Sequence, residues 1–233
     1  MATSTLKNEF RQIGLLFLLH SIAIIYGVFA VSSIIGISGT YQSAANTSMH
    51  EMLFRTGICS RLVSTILSIF IALALYNLLQ KVNKFQARLM LLWMLLVIPF
   101  QFIGEAFNIT SVMVANGGLL QSADTNGKHN LVLVLQNIYN NINSISQCFW
   151  GLWLFPFGIL IYESKFIAKS LAVFAVLGGL CYLVDYIAFL FFPAMRSVTV
   201  FALLAGFLTE ILFMCWFLFS KTHIIDNSLN TSK

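Results

Sequence analysis

Four ionisable side chains, Arg61, Glu105, Asp185 and Glu210, stand inside otherwise apolar runs. So does the block QNIYNNINSISQ, Gln136 to Gln147, in which eight of twelve residues are Gln, Asn or Ser. A charge within a membrane-spanning helix is disfavoured by ~2.5–3.5 kcal/mol on insertion scales, so such residues pair, line a wet cavity or take part in chemistry. The three carboxyls offer proton exchange and recognition of donors. Arg61 offers a fixed cation, which pairs most simply with Glu105 or Asp185. The amides offer both donors and acceptors to an uncharged polar guest. At ~1.5 Å per residue these groups share one slab on the outer side of the midplane, with Glu210 nearest the middle and Asn108, Tyr182 and Tyr186 adding to it.

The amide block has a helical face. At 100° per residue, Asn137, Asn140, Asn141 and Ser144 fall within an arc of roughly 100°, and Gln136, Asn143 and Gln147 widen it to about 160°. Ile138, Ile142, Ile145 and Phe149 lie opposite. The expectation is an amphipathic helix with isoleucines toward lipid and amides inward. The amides then either bond to neighbouring helices, at ~0.6 kcal/mol per contact, or line a hydrated cavity. The expected lining of that cavity is Arg61, Glu105, Asn137, Asn140, Asn141, Asp185 and Glu210.

Other chemistries lack their residues. His20, His50, His129 and His223 lie in different segments, without an HExxH pattern, so neither a zinc site nor paired axial haem ligands can be assembled from them. No GxSxG or P-loop is present. Cys59, Cys148, Cys181 and Cys215 sit in apolar runs without CxxC spacing and read as small buried hydrophobes. No metal or cofactor is expected. The thirteen Lys and Arg exceed the eight Asp and Glu by five, but they are scattered, which excludes a nucleic-acid face.

The elements that must carry these residues are membrane helices. Of the 233 residues, 59% are hydrophobic and 9% charged, against about 25% charged in soluble domains. Six apolar segments, 12–37, 57–80, 87–114, 131–161, 168–192 and 198–220, each reach the ~20 residues that cross a ~30 Å hydrocarbon core. Backbone groups in lipid must bond internally, so the expected fold is all-α: a polytopic six-helix bundle forming one transmembrane domain over residues 1–233. The first segment follows Lys7 and Arg11 as a signal peptide would. Its apolar run is too long and lacks an A-x-A site, so it is expected to be a retained helix.

Nine basic residues (Lys7, Arg11, Lys81, Lys84, Arg88, Lys165, Lys169, Lys221 and Lys233) fall on the side of the N-terminus, and four (Arg55, Arg61, Lys128 and Arg196) on the other. The positive-inside rule then puts both termini in the cytoplasm. Two longer outer loops, ISGTYQSAANTSMHE and NGGLLQSADTNGKHN, are rich in Gly, Ser, Asn and Thr. The sequon Asn46-Thr47-Ser48 in the first is a short pattern without weight. Pro99 and Pro156 are expected to kink their helices, and Ala175-x-x-x-Gly179 is a small-residue packing face.

Five blocks in order, LFRTGICSRL (53–62), ALALYNLLQKVNK (72–84), GLWLFPFGILIYESKF (151–166), LAVFAVLGGLCYLVD (171–185) and LTEILFMCWFLF (208–219), resemble the bacterial family called domain of unknown function 4386, small multi-pass membrane proteins. The pattern includes Phe54-Arg55, Tyr76, Val82-Asn83, Pro156, Gly158, Tyr162, Gly179, Tyr182 with Asp185, Glu210 and Trp216, all present here. Two positions depart: many relatives carry an acid near 61 and another near 68, where this chain has Arg61 and Ser68. The resemblance implies this topology and a bacterial plasma membrane, and no activity. Membrane lipids are the expected partners.

Three functions follow as expectations. The first is binding or passage of a small polar or amphiphilic molecule in the outer half of the bundle. The second is a non-catalytic accessory or sensor protein whose polar residues only fix helix packing. The third is a membrane-embedded enzyme using Glu105, Asp185 or Glu210 as acid or base.

Overall fold

The computed structural model describes residues 2–36, 45–47, 49–121, 124–164 and 166–219. Lys165, Lys221, Lys233, His223 and most of the 38–48 loop, which the topology and sequon readings use, lie outside the described residues. The chain is helical, with no strand among the described residues. We label the helices α1 (Ala2–Ile25), α2 (Val31–Ile35), α3 (Glu51–Leu79), α4 (Lys84–Ala115), α5 (Thr125–Leu152), α6 (Leu154–Glu163), α7 (Ser170–Phe191) and α8 (Arg196–Phe219). A π-helical turn, Tyr26–Ala30, joins α1 to α2. Six stretches are long and apolar enough to cross a membrane: Leu6–Ile35, Glu51–Leu79, Lys84–Ala115, Thr125–Glu163, Ser170–Phe191 and Phe201–Phe219.

Each matches an apolar run read from the sequence, and the differences lie at the ends. The second begins six residues before the expected 57, at Glu51. The fourth reaches back to Thr125 through TNGKHN, expected as loop. Asp124 caps it, its Oδ1 accepting the Gly127 N–H at 3.0 Å. Asn83 caps α4 in the same way, its Oδ1 accepting the Gln86 N–H at 3.2 Å. A side-chain acceptor at this position satisfies an amide that the helix itself leaves unpaired. Replacing Asp124 by Ala should therefore destabilise the start of α5 by ~1 kcal/mol, seen as faster hydrogen exchange over 125–128 with no change at 140–150. Gly117, at φ +72°, closes α4, with the Leu119 N–H bonded to Met113 O.

The two expected proline kinks differ. Pro99 leaves α4 unbroken by secondary structure. Pro156 lies in the first turn of α6, and the helical ladder is interrupted at Trp153. A proline ring clashes with the carbonyl four residues earlier. Here that residue is Leu152, where α5 ends.

The helices fall into two compact units. Residues up to Leu18, Leu67–Val97 and from Gln147 onward form the first; Leu19–Ile66 and Ile98–Ser146 form the second. The first unit has the larger core, with Phe10, Ile13 and Phe17 of α1, Ile71, Leu75 and Leu79 of α3, Phe157 of α6, and Phe213 and Phe217 of α8 all buried. Phe157 meets Phe213 edge-on at 5.0 Å, and Phe10 meets Trp216 at 5.5 Å and Phe217 at 5.7 Å. Trp153, 5% exposed, belongs to this core. α5 and α7 cross at backbone contact: a Cβ on Gly151 would stand 2.8 Å from Gly179 O. The second unit has smaller cores, one of Val31, Ile35, Phe54, Ile58 and Val112 and one of Val114, Val132 and Leu135.

Candidate functional site: a buried polar cluster in the second unit

Arg61 is the hub of the second unit. It sits on α3 with 8% exposure, and Glu105 of α4 with 1%. Arg61 Nε donates to Glu105 Oε1 at 2.5 Å and Nη2 to Oε2 at 3.0 Å, a bidentate fork. The planar guanidinium matches a carboxylate in this way and a lysine would not. Its remaining nitrogen, Nη1, donates to the backbone carbonyl of Gly27 at 2.5 Å. The guanidinium carbon lies 5.6 Å from the centre of the Tyr139 ring of α5. Four successive segments of the chain thus meet at one side chain. Of the two partners open to Arg61 from its depth alone, Glu105 is the one it takes.

Local structure prepares each contact. Gly27 belongs to the π-helical turn, the kind of local widening that presents backbone carbonyls to non-local partners. A Cβ on Gly27 would lie 2.6 Å from Arg61 Cγ, and one on Gly57 would lie 2.8 Å from Val31 Cγ2. Two glycines therefore bring the π turn and α3 close enough for Arg61 to reach the carbonyl. Gly104 makes similar room for the Tyr139 ring, whose nearest atom would be 3.2 Å from a Cβ there. Asn108, one turn beyond Glu105, donates from Nδ2 to Glu105 Oε2 at 3.1 Å. Its own Oδ1 is buried and has no hydrogen-bond partner among the described residues.

The amides of α5 are arranged differently from the expectation. Gln136 (0% exposed), Ser144 (1%) and Gln147 (5%) are buried, Asn140 and Asn143 are half-buried, and Asn137 and Asn141 are exposed beside Val134 and Ile145. The inward face is thus rotated by roughly a quarter of a turn from the one expected. Inward burial of Val132, Leu135 and the Tyr139 ring removes more apolar surface than burial of Asn137 and Asn141 would, and leaves fewer amides to satisfy. Gln147 Oε1 is buried without a hydrogen-bond partner among the described residues, while other amides of the block find protein partners. Gln136 Nε2 donates to Thr47 Oγ1 at 3.2 Å, and Gln101 Nε2 donates to Asn143 Oδ1 at 3.3 Å. Asn137 and Asn143 donate back to carbonyls of their own helix, Leu133 at 2.9 Å and Tyr139 at 3.2 Å.

Depth changes as well. Arg61 lies 18 residues from Leu79, and Glu105 lies 21 from Lys84, the ends at which Lys81, Lys84 and Arg88 gather. Those counts are about 27 Å and about 32 Å of helix, against a hydrocarbon core of ~30 Å. The cluster thus stands about one hydrocarbon thickness from those ends, and α4 runs on for ten more residues to Ala115.

Asp185 and Glu210 belong to the first unit. Asp185 is 2% exposed. Glu210 Oε1 accepts from the Tyr182 hydroxyl at 3.1 Å, and Trp150 meets the Tyr182 ring edge-on at 5.9 Å. Gly206 leaves space for that ring, to which a Cβ would approach within 2.9 Å. Of the seven expected lining residues, the structure joins Arg61 to Glu105. Residues the sequence reading did not place in the lining, Gly27, Asn108 and Tyr139, complete the cluster. Gly27 carried no polar side chain to signal it; Asn108 and Tyr139 were visible one turn from Glu105 and within the amide block.

Six apolar spans with a buried cation–carboxylate hub define a multi-pass helical membrane protein. The chain belongs to the family described as Domain of unknown function (DUF4386), whose model matches residues 12–220. No curated protein and no solved structure matches it. Arg61 is the residue that joins the elements of the second unit around Glu105, Gly27 and Tyr139.

Proposed function

We propose that this chain is a non-catalytic accessory protein of the bacterial plasma membrane, in which the Arg61 cluster locks the far parts of the first four spans into a fixed platform. Arg61 carries this reading: all three guanidinium nitrogens are engaged, two on Glu105 and one on Gly27 O. Three of the five guanidinium N–H donors are thereby committed to the protein itself, which favours a lock. The positive-inside bias of Lys81, Lys84 and Arg88 orients the platform outward.

A second reading, recognition of a small polar molecule at this cluster, is favoured by the orphan Asn108 Oδ1, since a buried acceptor without a donor calls for one. Asn108→Leu separates the two. If the cluster is a lock, native mass spectrometry of protein extracted from membranes shows no stoichiometric polar guest, and Asn108→Leu lowers stability by ~1–2 kcal/mol through the lost bond to Glu105. A guest bound one-to-one in the unaltered chain and lost in Asn108→Leu would replace the lock reading with the second.

A further inference from the structure

Beside the cluster, α3 and α4 border an open groove of about 240 Å³ lined by Arg55, Ile58, Cys59, Leu62, Ile109 and Val112. Five of these six are apolar or a thiol, and Arg55 is the one charge. Arg55 does not stand alone: its Nε donates to Glu51 Oε1 at 2.6 Å, one turn nearer the helix start, and both side chains are exposed. Along α3 the order is acid, base, then apolar groove.

The level of this arrangement matters. Arg55 is 24 residues from Leu79, about 36 Å of helix, and Leu62 is 17, about 26 Å. With a hydrocarbon core of ~30 Å, the groove runs from acyl chains into headgroups, and the ion pair lies at the headgroup layer. An anionic headgroup would meet Arg55 but also the carboxylate of Glu51. A free phosphate would leave the apolar part of the groove unused. A headgroup carrying a phosphate and a primary ammonium matches both charges, phosphate on Arg55 and ammonium on Glu51. A primary ammonium has three N–H donors for that carboxylate, which a quaternary ammonium lacks.

We propose that the Glu51–Arg55 pair and the groove beneath it form a site for a zwitterionic phospholipid with a primary-ammonium headgroup, one acyl chain lying along Ile58, Leu62 and Ile109. The site goes beyond the lock reading and does not depend on it, since neither Glu51 nor Arg55 bonds to Arg61 or Glu105.

The test reconstitutes the full chain into vesicles of equimolar phosphatidylethanolamine, phosphatidylcholine and phosphatidylglycerol, then counts retained lipids by native mass spectrometry. Phosphatidylethanolamine is expected to be enriched about two- to fivefold over each of the others, the range that one exposed ion pair supplies. Arg55→Ala should abolish the enrichment, and Glu51→Gln should erase the preference over phosphatidylcholine. Leu62→Trp, which fills the groove, should reduce retention of all three. Both charged residues are exposed, so their variants keep the fold. Cys59, exposed within the groove, gives a second measure: in a background with Cys148, Cys181 and Cys215 replaced by Ala, maleimide labelling should be slowest in phosphatidylethanolamine. Equal retention of the three lipids, retention of phosphatidylglycerol or phosphatidylcholine over phosphatidylethanolamine, or enrichment that survives Arg55→Ala would overturn the proposal.

Discussion

Arg61→Met should destabilise the protein by about 3–5 kcal/mol, the range seen when a buried pair loses one partner and leaves the other charged and uncompensated. The loss is large because Glu105 is 1% exposed and, among the described residues, would keep Asn108 Nδ2 and Tyr139 near it. Glu105→Gln should cost less than Arg61→Met, since Arg61 retains Gly27 O and an amide oxygen at the old carboxylate position. The double variant Arg61→Met, Glu105→Met should recover most of the loss, because apolar pairs of similar volume replace buried ion pairs with little net change. Equilibrium unfolding in mixed micelles reads all three. A double variant as unstable as the single one would mean that the pair itself contributes the stability, and that the uncompensated carboxylate does not explain the effect.

Gly151→Ala should destabilise the first unit by ~1–3 kcal/mol, the effect of overpacking by one methyl. The added Cβ would stand 2.8 Å from Gly179 O and 3.0 Å from Leu183 Cγ. A backbone oxygen on a packed helix cannot turn aside as a side chain does, so α5 or α7 must shift. Gly179→Ala meets the mirror obstacle, Gly151 O at 2.9 Å, and should behave alike. Gly104→Ala should cost less, since its nearest atom is a Tyr139 ring carbon at 3.2 Å, a side chain that need give by only a few tenths of an ångström. Unfolding monitored by tryptophan fluorescence, with Trp150 and Trp153 flanking the crossing, checks the series. Wild-type stability in Gly151→Ala would show that the two helices cross more loosely.

The spans were legible in the sequence because apolar runs of this length have no other explanation. Their ends were less so. TNGKHN has no apolar period, and only Asp124, a good capping residue three before Gly127, hinted that α5 starts there. The Ala175-x-x-x-Gly179 face was legible because small residues at that spacing have a direct packing consequence, and Gly179 meets Gly151 as that pattern requires. The partner of Arg61 was not. Residue counts give depth along a helix but not azimuth around the bundle, and Glu105 and Asp185 were equal on depth alone. The inward face of α5 was misjudged by the assumption that amides point inward wherever isoleucines point out. Near the edge of the hydrocarbon that rule weakens, and Tyr139, Val132 and Leu135 decide the rotation. The π turn left no readable signal in YGVFA apart from Gly27.

The bond from Arg61 to Glu105 also bears on how the chain enters its membrane. α3 and α4 are joined by only the residues between Leu79 and Lys84, with the Val82 and Asn83 amides bonded to Leu79 O. Two helices on so short a turn insert together as a hairpin, and in the proposed orientation their far ends must be carried across. A lone arginine there would meet the insertion penalty for a charge in lipid. Opposed to Glu105 at the same height, it travels as half of a neutral dipole, so the two charges that fix the finished second unit also ease its delivery through the bilayer.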